Sequence, residues 1–144
     1  VVIQKKEWEW ATKSEPDLGY YVSDYQTGQD IKTVQGEFDI FGDNSVVCLP
    51  TYGHTPGHQS FLIESDGEKG IVTGDVIHSR TQYTVPEWCA GADMDKPTAI
   101  ATRKAMIERI VSENLTVASS HLVVDSNIGH VVEIENRVKC DASP

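Results

Sequence analysis

Basic residues are scarce in this sequence. Twelve lysines and arginines stand against 22 aspartates and glutamates, a formal net charge of −10. Phosphate backbones are bound by clustered Lys and Arg, so no nucleic-acid partner is expected. Bound divalent metal would offset a few of those negative charges. Cysteine is also sparse. Cys48, Cys89 and Cys140 are far apart, odd in number and form no C-x-x-C pair, which argues against a structural zinc ribbon. Free thiols suit a reducing compartment, so a cytoplasmic location is the expectation, with one disulfide still open. No apolar run approaches the ~20 residues of a membrane span, and no membrane association is expected. Repeats and low-complexity tracts are missing too. The chain opens on Val1-Val2-Ile3, with neither an initiator Met nor a signal sequence. If it is the C-terminal portion of a longer product, any targeting segment would lie in the remainder.

What is present is an ordinary globular composition, 39% hydrophobic and 24% charged over 144 residues. That length allows one domain at most and a core of ordinary size. Val1 to Ile3 reads as a short buried strand, and Lys5 to Thr12 as a short helix. Residues 13 to 34 read as irregular, broken by Pro16, Gly19 and Gly28, with Tyr20, Tyr21 and Tyr25 clustered in an excursion that would serve as surface, lid or dimer contact. From Gly36 the pattern is β. Glu37 to Phe41 alternates, Gly42-Asp43-Asn44 is a turn, and Ser45 to Leu49 is apolar. Ser60 to Ile63 and Gly70 to Thr73 are further strands around the Asp66-Gly67 turn. Residues 79 to 97 read as a loop.

Asp95 then suits a helix N-cap, with Pro97 in the first turn. Ile100, Ile107, Ile110 and Val111 recur on one face of that helix, and Arg103, Lys104 and Glu108 are assigned to the outside. Leu115 to Ala118 is a strand, and Val131 to Val138 a final strand or hairpin. Strands, helix and strand at short spacing point to a layered α/β arrangement.

Three strands end in side chains that bind metals. Ser45–Leu49 leads into Gly53-His54-Thr55-Pro56-Gly57-His58, Ile71-Val72-Thr73 into Gly74-Asp75, and Leu115–Ala118 into Ser119-Ser120-His121. An imidazole nitrogen is a strong ligand for zinc and similar ions. A carboxylate at a strand end can bridge two ions through its two oxygens. Strand ends are where α/β folds collect ligands and catalysts. Each residue alone has a plainer reading: a hydrogen-bonded or solvent-exposed loop histidine, or a Gly-Asp turn. The ordered set of three is what argues for a site. His130 lacks a partner pattern and reads as surface, and Trp88 reads as buried core.

On these motifs the sequence resembles the metallo-β-lactamase fold hydrolases. The resemblance rests on Gly53-His54-Thr55-Pro56-Gly57-His58-Gln59-Ser60, on Thr73-Gly74-Asp75 and on Ser119-Ser120-His121, and it covers nearly the whole chain. It implies His54, Asp75 and His121 as metal ligands, with Asp75 bridging two ions. It implies His58 as a support for the His54 loop rather than a ligand. His78, three residues after Asp75, is implied to contact substrate or protonate the leaving group, since a tyrosine holds a similar place in related lactonases. Where the family has a proline two residues before the first histidine, this chain has Tyr52. The family's H-x-H-x-D-H cluster does not occur in the sequence. The resemblance therefore implies an α/β fold comprising the C-terminal half of a four-layer αββα sandwich, with residues 1–144 following directly on that cluster.

His78-Ser79-Arg80-Thr81-Gln82, Pro86-Glu87-Trp88 and Thr102-Arg103 resemble the branch that holds N-acyl homoserine lactonases and hydrolases of the methyl-parathion type. The implied function is hydrolysis of an ester-like bond in a small molecule, a lactone, carboxylic ester or phosphotriester, by a metal-bridging hydroxide. The implied cofactors are two divalent ions, zinc first and iron or manganese as alternatives. With the histidine cluster missing, this chain alone is expected to be inactive and to hold metal weakly. Two other readings stand beside this one: a non-catalytic fragment acting as an interaction module, and a di-iron oxidoreductase. Half of a two-sheet fold would expose an apolar sheet face, so homo-oligomerisation or association with the missing N-terminal half is expected.

Overall fold

The computed structural model describes residues 1–13, 20–21, 28–122, 127–134 and 137–141, of which 132–134 and 137–141 are described by their backbone alone. Tyr25 and most of the irregular stretch before residue 34 fall outside them. The elements follow in the order β1 (Val2–Gln4), α1 (Lys5–Ala11), β2 (Lys32–Val34), β3 (Phe38–Asp39), β4 (Val46–Pro50), β5 (Gln59–Ser65), β6 (Glu68–Val72), a 3₁₀ turn (Gly74–Val76), α2 (Thr81–Thr84), α3 (Lys96–Ser112), β7 (Thr116–Ala118), β8 (Ile128–Ile134) and β9 (Arg137–Asp141).

β3 to β9 form one sheet in sequence order, and β1 and β2 form a separate parallel pair. The large sheet is antiparallel except at β6 and β7, which run parallel. That parallel step requires a crossover, and α3 supplies it. The register places Cys48, Phe61, Val72 and Ala118 in one row across β4, β5, β6 and β7. Because β5 is antiparallel to both neighbours, β4, β6 and β7 all point the same way. Their C-terminal ends open on one edge of the sheet. Asp75 and His121 each lie three residues beyond that row, and His54 lies six beyond it. Adjacency of the three side chains is therefore a consequence of register.

α3 packs on one face of the sheet. Met106, Ile107 and Ile110 meet Leu49, Ile71, Val117 and Val131, with Val76, Ile77, Tyr83, Leu115 and Leu122 closing the same core. Each such side chain contributes about 1.5–3 kcal/mol on leaving water. The opposite face carries Phe61, Ile63, Val72, Ala118 and Ile128, by the alternation of the paired strands. There Ile63 is 40% and Ile128 59% exposed. This apolar face is only partly covered among the described residues.

Four expectations need correction. The strand β2 lies inside the stretch read as irregular; its parallel pairing with β1, Val2 opposite Lys32, is a long-range contact that a local pattern does not show. A short helix, α2, interrupts the loop read over 79–97. Trp88 is 61% exposed, not core. Arg103 is fully buried, although its charge suggested the outer face of α3. Its position gave the opposite signal, since 100, 103, 107 and 110 share one helical stripe. Lys104 and Glu108 are exposed as expected.

The start of α3 depends on Asp95. Its Oδ1 accepts from the Thr98 amide at 3.1 Å and its Oδ2 from the Thr98 hydroxyl at 2.7 Å. Asp95→Ala should cost about 1 kcal/mol of stability, the usual value of an N-cap. Equilibrium urea unfolding would measure it, and an unchanged midpoint would refute the capping role.

Candidate metal centre

The loop carrying His54 is clamped from two sides. On one side the Met94 amide donates to the His54 carbonyl at 3.1 Å, and the Asp95 amide to the Gly53 carbonyl at 2.9 Å. Gly53 has φ +126°, and a Cβ there would collide with the backbone of Ala99 at the start of α3. On the other side the Gly57 amide donates to Glu7 Oε2 at 2.7 Å. A Cβ on Gly57 would collide with the Glu7 backbone. Both glycines are thus demanded by close approach of a helix.

At the sheet edge, Asp75 stands between two histidines. Its Oδ2 lies 3.2 Å from His54 Nε2, and its Oδ1 lies 3.0 Å from His121 Nε2. Two ligands of one tetrahedral zinc ion at ordinary bond lengths are about 3.3 Å apart. Each carboxylate oxygen is thus paired with a different imidazole at a spacing suited to sharing an ion.

The His54 ring is oriented from behind by Asp93, a residue the motifs did not reveal. His54 Nδ1 donates to Asp93 Oδ1 at 3.0 Å. Asp93 has no exposed side-chain surface. Burial pushes its carboxyl upward, but the hydrogen bond from His54 and the Arg103 guanidinium outweigh this and hold it below the ordinary carboxylate value. With Nδ1 committed to the carboxylate, a neutral His54 presents its Nε2 lone pair to Asp75. Two electron-rich atoms facing each other require a cation between them, a proton or a metal ion.

His58 does not reach the same space. Its Nε2 accepts from the Asp75 amide at 3.0 Å, so Nδ1 carries the proton. That proton is shared with the Thr51 hydroxyl at 2.8 Å and the Thr51 carbonyl at 3.1 Å. The Thr51 hydroxyl lies 2.9 Å from Ser60 Oγ, which donates to the Thr73 carbonyl at 2.9 Å. Both ring nitrogens of His58 are thereby used in holding Asp75 and the end of β4. Burial, reinforced by the nearby His54, lowers its pKa from the usual histidine value.

His78 lies between the rings of His54 and His121. Its ring is tilted against His54 and stacked on His121, with centroids 4.9 Å apart in both cases. Gln82 Oε1 accepts from the His78 amide at 2.6 Å and from the Ser79 amide at 3.2 Å, which fixes the turn. Nδ1 of His78 is buried with no hydrogen-bond partner among the described residues. Burial first, then the neighbouring His54, lowers its pKa.

Donor atoms of Asp75, His78 and His121 lie within 4.8 Å of one another, as do those of His54, His78 and Asp93. In the second group Asp93 is already engaged by His54, by Arg103 and by the Ala90 amide at 3.0 Å. It fits a support better than a ligand. The imidazoles of His54 and His121 and the carboxylate of Asp75 between them form a donor set suited to zinc, iron or manganese, with His78 beside them. Cys48 and Cys89 are free thiols apart from this cluster.

A cavity of about 620 Å³ opens onto His54, His58 and Asp75, with Val2, Ile3 and Met94 in its apolar wall. This is within the usual size of small-molecule sites. No helix among the described residues is long and apolar enough to cross a membrane.

The family described as the metallo-beta-lactamase superfamily matches residues 2–121. An N-acyl homoserine lactonase of Bacillus sp is 29% identical over 129 residues, covering 84% of this chain and 46% of that protein. The N-acyl homoserine lactonase AttM of Agrobacterium fabrum is 29% identical over 96 residues, covering 60% of this chain and 34% of that protein. Among solved structures, the hydrolase AbOPH of the beta lactamase superfamily superposes with a TM-score of 0.84 at 23% identity, over 100% of this chain and 55% of that one. AidC, a dizinc quorum-quenching lactonase in complex with a product, superposes with a TM-score of 0.80 at 21% identity, over 99% and 54%. The chain spans about half the length of the curated relatives it matches.

The pKa of His58 has a measurable consequence. A group whose folded-state pKa is depressed adds stability above its unfolded value, and that stability is lost as pH falls through the folded value. Metal-free protein should therefore lose stability as pH drops below about 6.5, the unfolded histidine value. His58→Gln should flatten that dependence in urea unfolding between pH 7.5 and pH 5. An identical slope in the variant would rule His58 out as its source.

Proposed function

We propose that this chain, which belongs to the metallo-beta-lactamase superfamily, contributes part of a dinuclear metal centre that hydrolyses an ester-like bond in a small molecule. A lactone is the substrate class proposed first, since the curated relatives are named as lactonases; carboxylic esters and phosphotriesters have related electrophilic centres. The observation that carries this reading is the carboxylate of Asp75, whose two oxygens face the Nε2 atoms of two different histidines.

His54 and Asp75 would hold one ion, and Asp75 and His121 the other. Zinc suits this donor set, and so do iron and manganese. Bound metal supplies Lewis acidity and lowers the pKa of coordinated water towards neutrality. Asp75 is oriented for its place by the hydrogen bond from its amide to His58. His78 projects between the two ligand histidines, where it would contact substrate or protonate the leaving oxygen. Burial keeps its imidazole neutral near pH 7, so one ring nitrogen donates and the other accepts. The apolar wall of the cavity excludes water from the carbon chain of the substrate.

A tetrahedral zinc ion takes four ligands. The remaining positions are assigned to a further polypeptide segment or a second copy, which would also cover the apolar face carrying Ile63 and Ile128. The 144-residue chain alone should then retain zinc weakly and turn over little substrate.

Elemental analysis and a lactone-opening assay on the assembled protein test the proposal. About two ions per chain are expected. Asp75→Ala should abolish binding of both, whereas His54→Ala and His121→Ala should each lose one. His78→Phe should keep the metal while kcat falls by about 10²–10⁴, the range of a lost acid–base group. Metal content indifferent to Asp75→Ala, or a metal-loaded protein inert towards lactones, esters and phosphotriesters, would overturn the reading.

A further inference from the structure

We propose that Arg103 and Asp93 are positioning residues: one buried guanidinium sets both the orientation of the His54 ring and its separation from Asp75. The inference rests on the metal-centre reading above and extends it to two residues that contact neither metal nor substrate.

Arg103 is completely buried on the core stripe of α3. Such a charge is tolerated only when it is paired and hydrogen-bonded. Its Nε donates to the Val76 carbonyl at 2.8 Å, one residue beyond Asp75. Its Nη1 donates to the Pro86 carbonyl at 2.7 Å and the Trp88 carbonyl at 2.9 Å. Its Nη2 donates to Asp93 Oδ2 at 3.1 Å. The other oxygen of Asp93 receives Nδ1–H of His54.

The planar guanidinium therefore links two chain segments with fixed geometry. One is the backbone just after Asp75; the other is the carboxylate that aims His54. These are the two residues proposed to share an ion. Gln82, also buried, strengthens the frame by donating to the Trp88 carbonyl at 2.8 Å while its oxygen holds the His78 turn. α3 thus reaches the sheet edge through a rigid polar strut rather than through apolar packing alone.

The arrangement selects a tautomer. A carboxylate at position 93 can only accept, so His54 keeps its proton on Nδ1 and offers Nε2. An asparagine there has one acceptor oxygen, which Arg103 and the Ala90 amide would claim. Its amide group would then donate to His54 Nδ1 and move the ring proton to Nε2, the atom facing Asp75. Ion binding at His54 would require the ring to lose that preference.

Histidine ring nitrogens in uniformly ¹⁵N-labelled, metal-free protein report the tautomer by long-range ¹H–¹⁵N correlation. Wild type is expected to show His54 protonated at Nδ1, the nitrogen that faces Asp93. Asp93→Asn is expected to reverse this and to weaken zinc affinity about 10–100-fold, the usual effect of losing an outer hydrogen bond to a ligand. Arg103→Lys retains the charge but not the fork, and should keep the Nδ1 tautomer while zinc affinity falls about 10-fold. It also guards against an Asp93→Asn protein that does not fold. Zinc titration followed through the His54 resonances gives the affinities.

An unchanged tautomer and unchanged affinity in folded Asp93→Asn would overturn the role of Asp93. Wild-type affinity in folded Arg103→Lys would overturn that of Arg103. If the tautomer switches as expected but the wild type takes up no zinc, the positioning of His54 stands and the metal reading fails.

Discussion

Parallel pairing of β6 and β7 is the constraint from which the site follows. With Val72 beside Ala118, two chain segments leave the sheet side by side, and three residues later each presents a ligand-type side chain. A one-residue slip of either strand would turn it inside out, moving Ile71 or Val117 from the core to the opposite face. The register that buries the core is thus the register that joins Asp75 to His121. The crossover that makes the pairing parallel is α3, whose N-cap Asp95 and the preceding Met94 also grip the His54 loop by backbone hydrogen bonds. Core packing and site geometry therefore depend on the same helix.

Polar contacts around the site are divided by depth. Asp93, Arg103, Thr51, Ser60 and Thr73 are buried and satisfied, whereas Asp75 and His121 are partly open. Low dielectric strengthens the buried bonds and makes their loss costly. A buried ion pair is weak evidence for stability, because a well-packed apolar pair of similar volume often does as well. The pair at Arg103 and Asp93 is better explained by what it orients. His58 follows the same pattern, its two nitrogens spent on Thr51 and on the Asp75 amide.

The half-covered face of the sheet belongs to the same picture. One face is sealed by α3, while Ile63 and Ile128 remain exposed on the other. The proposed ligands, two imidazoles and the carboxylate between them at one sheet edge, would leave coordination positions for donors from elsewhere. Exposed apolar surface and unfilled ligand positions are two aspects of one proposed interface.

Much was legible along the chain because it is governed by local rules. Short apolar runs bounded by turn signals marked β4, β5 and β6, and the Asp95 cap followed from its side-chain chemistry. The loop glycines and the strand-end placement of His54, Asp75 and His121 were visible as patterns of residue type and spacing. Asp93 and Arg103 were not assigned to the site, being separated in sequence from the groups they hold. Arg103 could have been found, since a charge on the stripe of Ile100, Ile107 and Ile110 needs a buried partner, but the identity of that partner lies in another segment. The sequence by itself determined which elements form and which residues carry metal-binding chemistry, since those depend on side-chain type and short periods. Only the tertiary structure decided which atoms face each other, which nitrogen of each histidine is spent, and which charge is buried. Those depend on register and on contacts between segments distant in the chain, for which local physics has no term.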